Sequence, residues 1–243
     1  MDKKMTVVQH LGELRYRLVI SVIAFLAGAT GIYLNMNTVM AWLTAPLRGK
    51  QLYFTGPADG FFVTFEIVVV GGLMLSLPVL IYQVLAFIIT GCTKRERKVI
   101  FLSIPPALTL FSIGVVFGNR IIFPFSLQFL LGASEGYLNS MLLGTKYFSF
   151  LLFVGLAMGL LFQIPIVLLI LNRLGLVKSA KLRSARLYGY LGISLIAGVL
   201  VPAPDLLTWL AICGPVLVLY ELSIWVIYFM EKSKEKKENV NFA

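Results

Sequence analysis

Charge is scarce in this sequence: Asp, Glu, Lys and Arg make up 13 % of its 243 residues, about half the share that a soluble domain needs to cover its surface. A water-soluble globular protein is excluded on that ground alone. Histidine is scarcer still. The one present, His10, cannot build a multi-histidine metal site, and its place ahead of the first apolar run rules out a Ser-His pair inside a membrane. A GxxxxGK[ST] phosphate loop is also missing, because the GTK at 144–146 lacks the upstream glycines. Nucleotide-driven chemistry, enzyme activity and a cofactor are therefore not expected. The two cysteines, Cys92 and Cys213, fall at different depths along the apolar runs and are expected to stay free thiols. There is no internal repeat of fixed period.

What is present is apolar. Hydrophobic residues make up 59 % of the chain, and the mean hydropathy is +0.91. Six runs, 18–34, 61–87, 99–118, 148–171, 187–201 and 206–230, approach the about 20 residues that a helix needs to cross some 30 Å of hydrocarbon. Continuous apolar runs favour helices, since an open sheet would leave backbone groups unsatisfied in lipid and a barrel would show short alternating segments. The gaps are too short for an extramembrane domain. The expected organisation is a cytoplasmic amphipathic segment at 1–17, one six-span domain at 18–230, and a polar, disordered tail at 231–243.

Orientation follows from the 21 Lys and Arg. They crowd alternate loops: Lys3, Lys4, Arg15 and Arg17 before the first run, Lys94, Arg95, Arg97 and Lys98 after the second. Arg173, Lys178, Lys181, Arg183 and Arg186 follow the fourth, and Lys232, Lys234, Lys236 and Lys237 follow the sixth. The other loops hold only Arg48, Lys50, Arg120 and Lys146. The positive-inside rule then places both termini in the cytoplasm. The net charge of +10 reads as attraction to anionic lipid, not to nucleic acid. Reading 18–29 as a cleaved signal peptide fits worse, because cleavage would spoil this alternation.

Against that pattern two acids stand out. Thr6 and Gln9 suggest a helix start, and Val7, Leu11, Leu14 and Leu18 recur at helical spacing, so an interfacial helix is expected to run into the first span with Glu13 on its polar face. Glu96 lies inside TKRERKV at 93–99. An acid in a basic rim can pair internally, as Glu13 with Arg17 at i, i+4. Two such acids can also form a receptor for a cationic ligand. The spacing leaves both readings open.

HLGELRYRL at 10–18, APL at 45–47, LSLPVLIYQVLAFI at 75–88, KRER at 94–97, FQIP at 162–165 and VPAPD at 201–205 together resemble the TatC family, the core of the twin-arginine protein translocase. The resemblance implies a multi-pass protein of the cytoplasmic membrane that binds the consecutive arginines of signal peptides on folded cargo and is driven by the proton motive force. Carried over by motif, the signal-peptide site comprises Glu13, Arg15, Glu96, Arg97 and Phe87. The implied partners are TatA-type and TatB-type single-span subunits, membrane lipids and further copies of the chain. Pro46 falls in an outer loop like the family's extracytoplasmic cap. Pro202, Pro204 and Asp205 make the turn before the last span, with Asp205 placed to cap it.

The pattern is broken in two places. Thr90-Gly91-Cys92 replaces a frequent Pro-Gly-Leu, and Gln163 stands where many relatives carry a buried glutamate, so an ionising group there is not essential. Gln163 and Glu221 each lie roughly 22 Å inward from the outer end of their spans at 1.5 Å per residue, and are expected to line one polar cavity. Without the resemblance, that cavity would suit a small secondary transporter. Glu66 is expected to snorkel to the interface. Gly155 and Gly159 form a small-residue patch, and Pro78 and Pro165 kink their spans into a curved, concave all-α bundle with short fifth and sixth helices. The fifth span offers only about 22 Å of helix against about 30 Å of hydrocarbon, so Ala197 to Val201 is expected to dock a single-span partner.

Overall fold

The computed structural model describes residues 7–47, 49–90, 101–132, 141–200 and 206–241. Ten α-helices make up the described chain. They are α1 (Val7–Leu34), α2 (Met36–Thr44), α3 (Asp59–Thr90), α4 (Ile104–Phe117), α5 (Phe123–Gly132), α6 (Gly144–Leu161), α7 (Ile164–Arg173), α8 (Ser179–Ser184), α9 (Arg186–Leu200) and α10 (Leu206–Asn241). A 3-10 turn at Ala45–Leu47 follows α2, and a π-helical turn at Gly118–Ile122 joins α4 to α5 without a break. Among the described residues five stretches are long and apolar enough to cross a membrane: Leu11–Leu34, Asp59–Phe87, Ile104–Gly132, Gly144–Arg173 and Leu206–Ser233. The sixth candidate, Arg186–Val199, is shorter.

The sixth helix corrects the expectation that it is short. At 36 residues α10 is the longest described helix, and it runs on to Asn241, so the stretch from 231, expected to be disordered, is helical to that residue. Its Lys and Glu residues are good helix formers. Glu231 also anchors the segment, accepting from Asn172 Nδ2 at 2.6 Å and from the Ser179 backbone N–H at 3.2 Å.

The spans pack antiparallel in fixed register. Gly28 meets Gly72 and Arg17 meets Gln83, which aligns α1 against α3. Ala107 meets Gln163, Gly114 meets Gly159 and Asn119 meets Gly155, which aligns α4 against α6 and α7. Side chains are small where these backbones touch. A methyl on Gly72 would stand 2.6 Å from Ala29 Cα, and one on Gly114 would stand 2.6 Å from the Met158 carbonyl, so glycine is what permits the approach. The core is centred on the fourth span, around Ile122, Phe123, Phe148, Leu151 and Met158, and takes in Ile67 of α3, Ala197 of α9 and Ile212 and Ile224 of α10.

One end of the bundle is capped. α2 folds over it, pinned where the Tyr147 hydroxyl donates to the Leu43 carbonyl at 2.9 Å. Two loops are stitched together there, with Tyr53 N–H on Leu142 O at 2.9 Å and Gly144 N–H on Tyr53 O at 2.8 Å. Pro46 sits half-buried in the turn that closes α2. Asp59 accepts from the backbone N–H of Thr55 at 2.7 Å and of Gly56 at 2.9 Å, which closes the turn leading into α3. Pro78 lies inside the continuous α3. Pro165 instead opens a new helix: the fourth span breaks at Phe162–Gln163, and Pro165 takes the first turn of α7, where its missing N–H costs nothing.

Candidate functional site

The uncapped end carries the first acid. Glu13 and Arg17 are one turn apart on α1, and their side chains pair at 2.5 Å. The same guanidinium reaches across to α3, where Arg17 Nη1 donates to Gln83 Oε1 at 3.2 Å. Gln83 is itself buried. Arg17 is thus a strut between two helices, and Glu13 is held by it. The pairing that the spacing allowed is formed, yet it uses only Oε1, and Oε2 keeps no hydrogen bond among the described residues. Arg15 is exposed on the neighbouring face, and Phe87 is half-buried in the last turns of α3. The antiparallel register brings Glu13, Arg15 and Phe87 to the same end of the bundle. Glu96 and Arg97 lie outside the described residues.

The two polar residues expected to share a cavity have separate partners. Gln163, at the break between α6 and α7, donates Nε2 to the Ala107 carbonyl of α4 at 3.1 Å. Glu221 on α10 pairs with Arg186 of α9 at 3.1 Å and accepts from the Tyr190 hydroxyl. Among the described residues no hydrogen bond joins the two sites, which leaves a single transporter-like site at Gln163 and Glu221 without support.

Arg186 and Tyr190 were not singled out in the sequence as partners of Glu221. A signal was there: Arg186 and Glu221 lie almost equally far from the VPAPD turn, so an antiparallel pair brings them close to level. Gln83 gave no signal beyond its place in a motif. Glu66 corrects the snorkelling expectation, since it is half-buried and accepts from the Ser149 hydroxyl of α6 at 2.6 Å. Ala197 is also corrected. It is 1 % exposed and packs in the core with Ile193, so it cannot meet a partner helix. The large apolar residues of α9 that do face outward are Leu187, Tyr188, Leu191, Leu195, Ile196 and Val199. Val201, Pro202, Pro204 and Asp205 lie outside the described residues, as does Cys92, while Cys213 is a buried free thiol.

Comparison with known proteins adds identity to this geometry. The family model for Sec-independent protein translocase protein (TatC) matches residues 9–215. The chain is 33 % identical to the Sec-independent protein translocase protein TatCd of Bacillus subtilis over 244 residues, covering all of both chains. It is 33 % identical to the TatC protein of Carboxydothermus hydrogenoformans over 236 residues, 96 % of this chain and 97 % of that one. A crystal structure of the twin arginine translocase receptor TatC in DDM superposes with a TM-score of 0.78 at 31 % identity, over 90 % of this chain and 99 % of the other.

Proposed function

This chain belongs to the TatC family of Sec-independent protein translocase proteins, and from that premise we propose that it is the signal-peptide receptor and core scaffold of a twin-arginine translocase in the cytoplasmic membrane. The observation that carries the proposal is the Glu13 carboxylate, fixed through Arg17 and Gln83 at the rim where α1 and α3 meet. Both termini face the cytoplasm, and the short α9 counts as the fifth of six spans. The proton motive force drives the transport step.

Glu13 and Glu96 are the counter-ions for the consecutive arginines of the peptide. A guanidinium presents a planar fork that a carboxylate grips through two parallel hydrogen bonds, and it sheds water more readily than an ammonium. Each charge-assisted contact is worth about 1.5–3 kcal/mol, so two give roughly 3–6 kcal/mol before the peptide's ordering cost is subtracted. Arg15 and Arg97 repel cations that make no specific contact. Phe87, on the α3 side of the same rim, supplies apolar surface for the segment that follows the arginines. TatA-type and TatB-type single-span subunits dock along the outward face of α9, whose short helix leaves a hydrophobic mismatch that a neighbouring helix relieves. Several copies assemble in the receptor complex.

Site-specific crosslinking of a twin-arginine signal peptide to the membrane-inserted protein tests the receptor. Glu13→Ala is expected to weaken the adduct, Glu96→Ala to weaken it more, and the double variant to abolish it with insertion intact. An undiminished adduct in the double variant overturns the proposal.

A further inference from the structure

A cavity of about 520 Å³ lies between α1, α2, α3, α4 and α6, and the polar side chains in its wall are Thr38, Ser112 and Asn119. Along α3 it reaches from Ile67 to Pro78, which is about 16 Å of helix at 1.5 Å per residue. That matches one leaflet, half of about 30 Å of hydrocarbon. At the capped end the indole of Trp42 lines it, and the exposed guanidinium of Arg120 stands over that ring at 5.7 Å. No carboxylate pairs with Arg120 among the described residues. An interfacial tryptophan marks the headgroup level, so the cavity begins where a phosphate would lie and ends where an acyl chain stops.

We propose that this cavity holds one acyl chain of a phospholipid whose phosphodiester sits on Arg120. A helix from a partner protein fits worse. It would need a groove running through both leaflets, and this one stops at Pro78. The size lies in the usual range for small ligands, about 300–1,000 Å³. A resident lipid would fill the concave side of the bundle at the level where α2 crosses it, and it would brace α2 against α4 without a protein contact between Arg120 and an acid.

The test uses the full chain in phosphatidylcholine vesicles carrying a trace of phosphatidylglycerol with a mid-chain diazirine. Parallel vesicles carry a diacylglycerol with the same photoreactive chain and no phosphate. After irradiation, adducts of the phosphatidylglycerol probe are expected to concentrate on Met74, Leu75, Val115 and Val116, with about tenfold fewer from the diacylglycerol. Arg120→Gln should lower the phospholipid adduct to the diacylglycerol level. Ser112→Phe, which fills the cavity and leaves Arg120 in place, should remove both. Adducts spread evenly over outward residues such as Leu195 overturn the site. So does equal labelling by the two probes on the unaltered protein, a result that does not depend on any variant folding. Replacement of the lipid adduct by one to a co-reconstituted single-span subunit assigns the cavity to a protein instead and likewise overturns it.

Discussion

The fourth span and the first make opposite use of the same membrane. Of the apolar window in Gly144–Arg173, 56 % is buried inside the protein; of that in Leu11–Leu34, 6 % is. The fourth span is enclosed by α4 and α10 and closed at small residues, with Gly114 of α4 against Gly159 of α6, and Gly118 of the π-helical turn against Val154 and Met158 of α6. α1 packs along α3 alone of the long helices, through Gly28 and Ala29 on Gly72, Ile32 on Gly71 and the Arg17 strut, and leaves Leu18, Val22, Ile23 and Leu26 facing outward. Lipid is as apolar as leucine, so outward leucines gain nothing by packing, and only close backbone approach and hydrogen bonds hold spans together. The buried span is scaffold. The exposed one, with its polar strut and the Glu13 carboxylate, offers the proposed peptide site a place that does not disturb the core.

The largest effect should come from breaking the scaffold. Gly114→Ala drives a methyl into the Met158 carbonyl and the Gly159 backbone, and Gly72→Ala drives one into the Ala29 backbone. Neither neighbour is a side chain that can swing away, so a loss of about 1–3 kcal/mol or more is expected for each. Gly192→Ala on α9 meets nothing within 4 Å and should be neutral or slightly stabilising. Thermal unfolding in detergent ranks the three. If Gly114→Ala melts with Gly192→Ala, the contrast between enclosed and exposed helices is wrong.

The next effect belongs to the exposed rim and sharpens the same comparison. Replacing the peptide's two arginines by lysines should weaken crosslinking to the rim by one to two orders of magnitude, about 1.4–2.8 kcal/mol. The melting temperature of the protein should not move. Equal crosslinking by the lysine peptide would mean that charge alone is read, not the guanidinium fork.

How much of this was legible in the sequence depended on whether the information was local. Five of the six runs became long apolar helices because twenty apolar residues in lipid have little alternative. The glycine seam was half-legible: Gly155 and Gly159 were visible, and Gly114xxxGly118 was equally present, but only the antiparallel register shows that the two meet. Ala197 was misjudged because a short span says nothing of which face turns inward; the core side carries Ile193 and Ala197. The length of α10 was misjudged because Lys and Glu read as a solvated tail, although the same residues extend a helix once Glu231 anchors it. For Glu13 the pairing with Arg17 was legible from spacing, whereas the grip of Arg17 on Gln83 joins residues far apart in the chain and was not.

A smaller effect is expected at the junction of α9 and α10, a region between the two extremes. Arg186 and Glu221 are 41 % and 28 % exposed along their side chains, so the pair is neither a surface contact of a few tenths of a kcal/mol nor a fully buried one. Arg186→Gln leaves Glu221 with the Tyr190 hydroxyl alone, and a loss of about 1–2 kcal/mol is expected. Glu221→Gln keeps a partner for Tyr190 and should cost less. The reverse order in unfolding experiments would show that the carboxylate, and not the pair, holds α9 to the bundle.

The smallest effect should lie at Gln163, inside the enclosed span but at its break. Its amide donates one hydrogen bond to the Ala107 carbonyl from a half-buried position. Gln163→Leu removes that donor at about 0.5–1.5 kcal/mol. Gln163→Glu can restore the bond as a protonated acid, because a carbonyl facing the new side chain favours the form that donates. We therefore expect Gln163→Glu to be tolerated in both stability and export. Gln163→Leu should lower export of folded cargo more than it lowers signal-peptide crosslinking, if the amide serves as polar lining after the peptide has bound. The rim proposed to read the peptide is built on α1 and α3, whereas Gln163 ties α7 to α4, so the two readouts are separable. Crosslinking and export measured side by side on the Leu variant decide the matter. Equal losses in both would reduce Gln163 to a tie between the third and fourth spans, and the enclosed region would then be scaffold throughout.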